Sequence, residues 1–270
     1  MKVLVVTPWL PTAGRPETGI FVQRDIEMLR EDHDVEVIHL SADGEMATVG
    51  FPVTTVRMST TDPRSIRRAG AIIVERAARV DLVHSMAASA LLPFLGHRVE
   101  RPWVHTEHWS ALLAPDTAPR AARASLPLVR AALRRPDVVV AVGNDLARAV
   151  QRTRRGPTVV IPNAVQRPTV VHPRPRTGGL TLVGVGGLIE RKGPDIAVRM
   201  VAELRERGED GPASVGRRRP DAGSAALGSR LSSGSPTTVA VGNDLARAVQ
   251  RTRRGPTVVI PNAVQRPTVV

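Results

Sequence analysis

Residues Lys2–Leu29 read KVLVVTPWLPTAGRPETGIFVQRDIEML, and the architecture of the chain is legible from this stretch outward. Its first six residues, KVLVVT, form a continuous β-branched apolar run, the pattern of a strand buried on both faces of a parallel sheet. A Pro/Gly-rich loop, PWLPTAGRPETG, follows. The segment IFVQRDIEMLRED then puts Val22, Ile26 and Leu29 on one helical face. A second strand, DVEVIHL (34–40), comes next.

The alternation continues along the chain. Strands are predicted at 53–58, 81–85 (DLVHS), 102–108 (PWVHTEH), 137–142 (DVVVAV) and 158–162 (TVVIP). Helices are predicted at 63–79, 87–97, 117–135 and 144–153. Strands alternating with helices indicate an α/β, doubly wound sheet over residues 1–165. The segment 166–179, with Pro168, Pro173, Pro175 and two closing glycines, reads as a linker. A new unit opens at 180–210 with strand LTLVGVG, turn GLIERKGP and helix DIAVRMVAELRERGE, in which Ile196, Met200 and Leu204 share a face.

Beyond residue 210 the pattern stops. Of the 28 residues in 211–238, 22 are Gly, Ala, Ser, Pro or Arg, and only Val215, Leu227 and Leu231 could enter a core. Such a segment buries too little apolar surface to offset its chain entropy, so it is expected to stay outside any ordered element. Residues 239–270 then repeat residues 140–171 without a single substitution, an offset of 99 positions. Solenoid repeats come in threes or more and diverge. The second copy also lacks the elements that flank the first, leaving its strand pieces VAV and TVVIP as orphans. We read it as a recent duplication, a frame disruption or an assembly error rather than a working repeat.

Composition narrows the function classes. The 42% hydrophobic content supports a sizeable core, and the absence of cysteine excludes disulfides and thiolate metal sites. The start, MKVLVVTPWLP, lacks the longer apolar region of a secretory signal, and no apolar run approaches the roughly 18 residues of a membrane span. The expectation is a cytoplasmic protein, with a peripheral position at the inner face of the membrane as a further option. A net charge of +13 invites a nucleic-acid reading, but nine arginines and two aspartates in residues 211–270 supply +7 of it. With 2% aromatics and no tyrosine there are few platforms for stacked bases. Arginine accounts for 36 of the 38 basic residues, more a coding bias than a phosphate-binding surface, so no nucleic-acid partner is expected.

Three features carry chemistry. The loop after the first strand brings Gly14, Thr18 and Gly19 to a helix start, where backbone amides bind phosphate; the plain alternative is an ordinary strand–helix turn. His105 and His108 stand at the carboxyl end of a predicted strand, where open α/β sheets place ligands. If that strand continues, 105 and 107 share one side and 108 faces the other, a poor arrangement for a metal pair, so no metal site is assigned. The stretch GVGGLIERKGPD carries Arg191 and Lys192 on a glycine-rich turn and suits a diphosphate, or is a solvated basic turn. Neither a G-x-x-x-x-G-K-[ST] phosphate loop nor a Gly-x-Ser-x-Gly elbow is present.

In order, these pieces resemble the family 4 glycosyltransferases of the GT-B fold. TGIFVQRDIEML is similar to that family's opening glycine loop and helix. DLVHSM resembles its "D-h-V-H-x-H" strand, with Met86 where a second histidine is common. WVHTEHWS resembles the strand ending in a histidine that faces the donor sugar. VVVAVGNDL…VVIPNAV is similar to the "hhhVS…hhPNGV" pair, with Gly143 and Ala164 as departures, and LVGVGGLIERKGPDIAV resembles "hVGRLxxxKGxDhLh". The match spans roughly residues 1–208, and its TGIF and TEHWS variants look closest to enzymes of surface-polysaccharide synthesis.

The resemblance implies a GT-B-like doubly wound Rossmann-like amino-terminal domain, on the acceptor side, followed by a truncated second domain. It implies retaining hexosyl transfer from a nucleoside-diphosphate sugar to a saccharide, lipid-linked or small hydroxyl acceptor, with no cofactor and no essential metal. Carried over, Thr18 and Gly19 meet the donor phosphate, His108 contacts the donor sugar, and Lys192 neutralises the departing diphosphate. Gly187 stands where the family has an arginine, so either Arg191 substitutes or that contact is lost. The family's pair of glutamates separated by seven residues is missing, because after Asp210 the acidic residues are only Asp221 and Asp244. The chain is therefore expected to have weak or absent transferase activity. A non-catalytic module is the alternative, meeting an acceptor or an anionic membrane through Arg123, Arg130 and Arg134; a basic nucleic-acid-binding protein is the third.

Overall fold

The apolar run at the amino terminus is strand β1 (Lys2–Thr7), and the sheet grows from it in both directions. In the computed structural model the described residues are 1–118, 120–164 and 193–207, together with strand segments 183–185, 214–216, 239–241 and 258–260. The chain divides into two units, Met1–Arg167 and Pro168–Val270.

In the first unit, β2 (Asp34–Ser41) and β3 (Thr54–Arg57) extend the sheet to one side of β1. On the other side lie β4 (Leu82–Met86), β5 (Trp103–Glu107), β6 (Val138–Ala141) and β7 (Thr158–Val160). All pair in parallel, in the order β3-β2-β1-β4-β5-β6-β7. Both faces of β1 are covered, which is why its sequence shows no polar alternation: Val3, Leu4, Val5 and Val6 are all essentially unexposed. Helix α1 (Ile20–Asp32) closes one face, setting Val22 and Ile26 against Val3, Val5, Val35 and Val37. The opposite face carries α2 (Pro63–Ala77), α4 (Leu126–Ala132) and α5 (Asn144–Gln151), whose Ile73, Val129 and Leu146 meet Leu4, Val6, Val83 and Val139. Helix α2 starts where its sequence says it should, with Pro63 in its first turn and the Asp62 carboxylate accepting from the Arg64 amide at 3.0 Å.

Two helices depart from the sequence reading. The helix expected at 87–97 is a 3-10 helix, Ala88–Phe94, containing Pro93, which has no N–H to continue an α-helical ladder. The long helix expected at 117–135 is two short ones, α3 (Arg120–Ala124) and α4, with the break just before Pro127. Burial selects the rotation of α4: Leu126, Val129 and Leu133 point into the core, and Arg130 and Arg134 stay outside.

In the second unit, β8 (Val183–Val185) pairs in parallel with β9 (Ser214–Gly216), and α6 spans Pro194–Glu206. Strand β9 corrects the expectation that 211–238 contributes no ordered element; three residues and backbone hydrogen bonds suffice, with Val215 as the one apolar side chain. On α6 the covered face centres on Val201, with Met200 and Leu204 half-buried beside it as expected, and only Ile196, 48% exposed, falls outside it. Strands β10 (Val239–Val241) and β11 (Val258–Ile260) pair in parallel with each other, so the tail's strand pieces are not orphans.

Candidate functional site

The strand order reverses between β1 and β4, and in open α/β sheets the crevice outside the carboxyl ends at such a point receives ligands. Three chain segments leave the sheet there. β1 runs into the Pro8–Gly19 loop, β4 into Ala87, and β5 into His108. Ala87 is fully buried with φ 73° and ψ 146°, a backbone conformation that costs a non-glycine residue about 1–3 kcal/mol. Its amide donates to the Thr106 carbonyl at 2.9 Å, tying β4 to β5 at the mouth of the crevice.

The loop folds back on itself through mutual Thr12 and Arg15 backbone hydrogen bonds and one from the Thr18 amide to the Arg15 carbonyl at 3.1 Å. Gly19 caps α1 in the left-handed region, φ 73°. A Cβ there would sit 2.4 Å from the Trp9 carbonyl oxygen, so only glycine lets the helix start cross this backbone. No side chain caps α1 and its first turn holds no acidic residue. The amides and the positive end of the helix dipole are therefore available to an anion.

His108 lies against this helix start. Its ring centroid is 4.7 Å from that of Phe21 and 6.0 Å from that of Trp9, and those two rings meet edge to face at 5.8 Å. Both imidazole nitrogens are buried without a hydrogen-bond partner. Burial pushes the His108 pKa down to about 4, against the upward pull of Glu107, so the ring is neutral at pH 7. An unpaired buried polar group costs about 1–3 kcal/mol. Thus Gly19 and His108, distant in sequence, are brought together around Trp9 and the start of α1, and Thr18 lines the cleft described below. Gly187, Arg191 and Lys192 lie outside the described residues.

Behind His108 runs a buried relay that the sequence reading passed over. The Trp103 indole N–H donates to Ser85 Oγ at 2.8 Å, and Ser85 Oγ lies 2.9 Å from His105 Nδ1. His105 Nε2 lies 3.3 Å from Glu107 Oε2, and Glu107 Oε1 accepts the amides of His108 and Trp109, both at 2.8 Å. The Glu107 carboxylate only accepts, so Nε2–H donates to it, and in a neutral ring that leaves Nδ1 to accept from Ser85 Oγ, which itself accepts from the indole. The residue types are those of a hydrolytic triad, but Ser85, His105 and Glu107 are completely unexposed. The relay is a brace for the His108 turn. Its signal was the alternation itself, which put 105 and 107 on one side of the strand. On the other face His84 Nε2 sits 2.7 Å from Thr106 Oγ1, and Met86, where a second histidine was looked for, is a core residue beneath α1.

A cleft of about 250 Å³ opens beside the loop, lined by Trp9, Arg15, Thr18, His39, Ser41 and Ser59 among others. Arg15 is shared between Asp43 at 2.9 Å and Glu45 at 3.7 Å. Glu45 is held below the usual carboxylate range, first by the Gly14 amide at 2.6 Å. His39 is pushed down by burial. The cleft thus offers hydroxyl groups, the His39 imidazole and the Arg15 guanidinium to a polar ligand, at the carboxyl ends of β1, β2 and β3, while Asp43 and Glu45 pair with Arg15 from outside its lining.

A family model described as Glycosyltransferase Family 4 matches residues 26–167. Among solved structures, the chain is similar to sucrose-phosphate synthase from Thermosynechococcus elongatus, at 14% identity and TM-score 0.59, covering 98% of this chain and 72% of that one. It is also similar to Anabaena HepE in complex with UDP and glucose, at 17% identity and TM-score 0.50, covering 80% of this chain and 60% of that one. A HepE complex with UDP matches at 18% identity and TM-score 0.51. At these identities the likeness is one of fold, and the chain spans 60% of the length of the HepE structure. No curated protein matches it.

Proposed function

The chain belongs to Glycosyltransferase Family 4, and on that premise we propose that its crevice is built for hexosyl transfer from a nucleoside-diphosphate sugar to a hydroxyl acceptor. The observation that carries this reading is the meeting of an uncapped helix start at Gly19 with a neutral, unpartnered His108. The helix start suits a phosphate oxygen. The imidazole, with one N–H and one lone pair, suits sugar hydroxyls on the same molecule. HepE in complex with UDP and glucose supports the same donor class. The adjacent polar cleft, with Thr18, Ser41, Ser59, His39 and Arg15 in its lining, fits a hydroxylated acceptor, saccharide or lipid-linked. Retention of configuration and independence of an essential metal belong to the reading through the sequence resemblance, as do roles for Gly187, Arg191 and Lys192 at the diphosphate.

We also infer that these 270 residues by themselves turn over slowly or not at all, because the glutamate pair that the resemblance calls for is not among them. Tryptophan fluorescence during UDP-glucose titration is expected to report weak saturation that His108→Ala abolishes, with no detectable glucose release or transfer. Saturation unaffected by His108→Ala would remove the histidine from the site, and ordinary turnover would refute the inactivity.

The lipid-linked acceptor draws support from one surface feature. Arg123 and Arg130 are exposed on α3 and α4, with Leu128 48% exposed beside them, and no described helix is long and apolar enough to cross a membrane. A cytoplasmic protein resting on an anionic inner leaflet fits this face. Flotation with vesicles containing 

phosphatidylglycerol is expected to carry the protein upward, and Arg123→Ala with Arg130→Ala to leave it in the bottom fraction. Equal flotation of both proteins would discard the surface.

A further inference from the structure

The identical segments 140–171 and 239–270 share more than sequence. In the first, β6 and β7 pair in parallel with Val140 opposite Val159 and Ala141 opposite Val160. In the second, Val239 lies opposite Val258 and Ala240 opposite Val259. Shifted by 99 positions these are the same pairs, so the tail copy forms its two strands in the register of the original. The original has a neighbour on the other side of β6: Thr106 and Glu107 of β5 pair with Val140 and Ala141. Strand β10 has β11 as its one hydrogen-bonded neighbour among the described strands. Its residues Val239 and Ala240, the counterparts of those that β5 binds in the first copy, lie alongside β8 within the second unit, with no strand ladder joining β10 to β8.

We propose that the tail segment Val239–Val270 is a competent alternative occupant of the β6–α5–β7 place in its own chain. Every side chain from Val140 to Val160 that meets β5 or the core has an identical counterpart 99 positions on. The 22 residues between Gly216 and Val239 join the tail to the rest of its chain, and a tethered segment competes at a high effective concentration. What favours the first copy is local. Val139 is wholly buried where the tail brings Thr238, and the Asp137 carboxylate accepts the Trp103 amide at 2.7 Å where the tail brings Pro236. The unmodified chain therefore keeps the first copy in place, and the second enters when the first is damaged. This inference stands apart from the glycosyl-transfer reading and survives its failure.

The test uses the full-length chain, since all three tryptophans, Trp9, Trp103 and Trp109, lie in the first unit and report its unfolding alone. Ala141 is wholly buried on β6 beside Glu107, so Ala141→Asp disables the first copy, and Ala240→Asp disables the second. Ala240→Asp alone is expected to leave the fluorescence melt unchanged. Ala141→Asp is expected to keep a cooperative melt, lowered by less than half as much as in the double variant. Identical melts for Ala141→Asp and the double variant, folded or unfolded, overturn the proposal. The Ala141→Asp protein is expected to melt at the same temperature at every concentration and to elute as a monomer. A melt that rises with concentration would put a second chain's tail in the place and overturn the assignment to the same chain.

Discussion

Lowering the pH from 7 to 5 is expected to remove about 4 kcal/mol of the first unit's stability, read as a fall in the urea midpoint. The cause is two buried imidazoles. Burial pushes His108 to about 4, and His84, with His105 and His108 adding to the desolvation, to about 3. In the unfolded chain each titrates near 6.5. Between those values the unfolded state binds protons that the folded state refuses. Stability is therefore complete above pH 6.5 and drains as the pH falls toward 4. Each histidine contributes about 2 kcal/mol at pH 5, so His108→Gln should remove about half of the dependence. A midpoint unchanged between pH 7 and pH 5 would show that neither ring resists protonation. The same depressed basicity bears on function, since it keeps His108 a neutral hydrogen-bonding group and not a cation at the donor.

Gly19→Ala is expected to cost about 2–5 kcal/mol without any ligand present, the sum of a left-handed alanine and an overpacked contact. The added methyl would meet the Trp9 carbonyl oxygen at 2.4 Å and carbon at 2.5 Å, and both are backbone atoms that no rotamer change can move aside. For a unit of 167 residues that corresponds to a melting temperature about 10 °C lower. If the variant melts within a degree or two of the parent, the loop gives way easily and the glycine owes its place to the ligand alone. If the loss appears as expected, the glycine is first a packing requirement that also leaves the helix start bare for a phosphate.

How much of this was legible beforehand depends on the range of the interaction. The strand at Lys2–Thr7 and the helix at Ile20–Asp32 were readable to the residue, because an apolar run and a 3.6-residue periodicity are written locally. The break inside 117–135 was harder: Pro127 is tolerated in a helix's first turn, so the sequence alone allowed one disturbed helix as well as two. Gly19 and His108 could be named singly. Their meeting could not, because the loop and β5 are brought together only when β1 and β4 pair across the reversal in strand order.

By itself, the sequence determined the α/β alternation, the glycine loop, the histidine at the end of its strand, and the identity of the two 32-residue segments, since each is a property of neighbouring residues or of direct comparison. Only the tertiary structure decided that Ser85, His105 and Glu107 form a sealed brace and not a reactive triad. It also decided that both nitrogens of His108 face no partner, and that the two copies hold their strands in one register. Burial, hydrogen-bond pairing and strand register depend on which distant segments share a face of the sheet, and that is settled by packing across the whole chain.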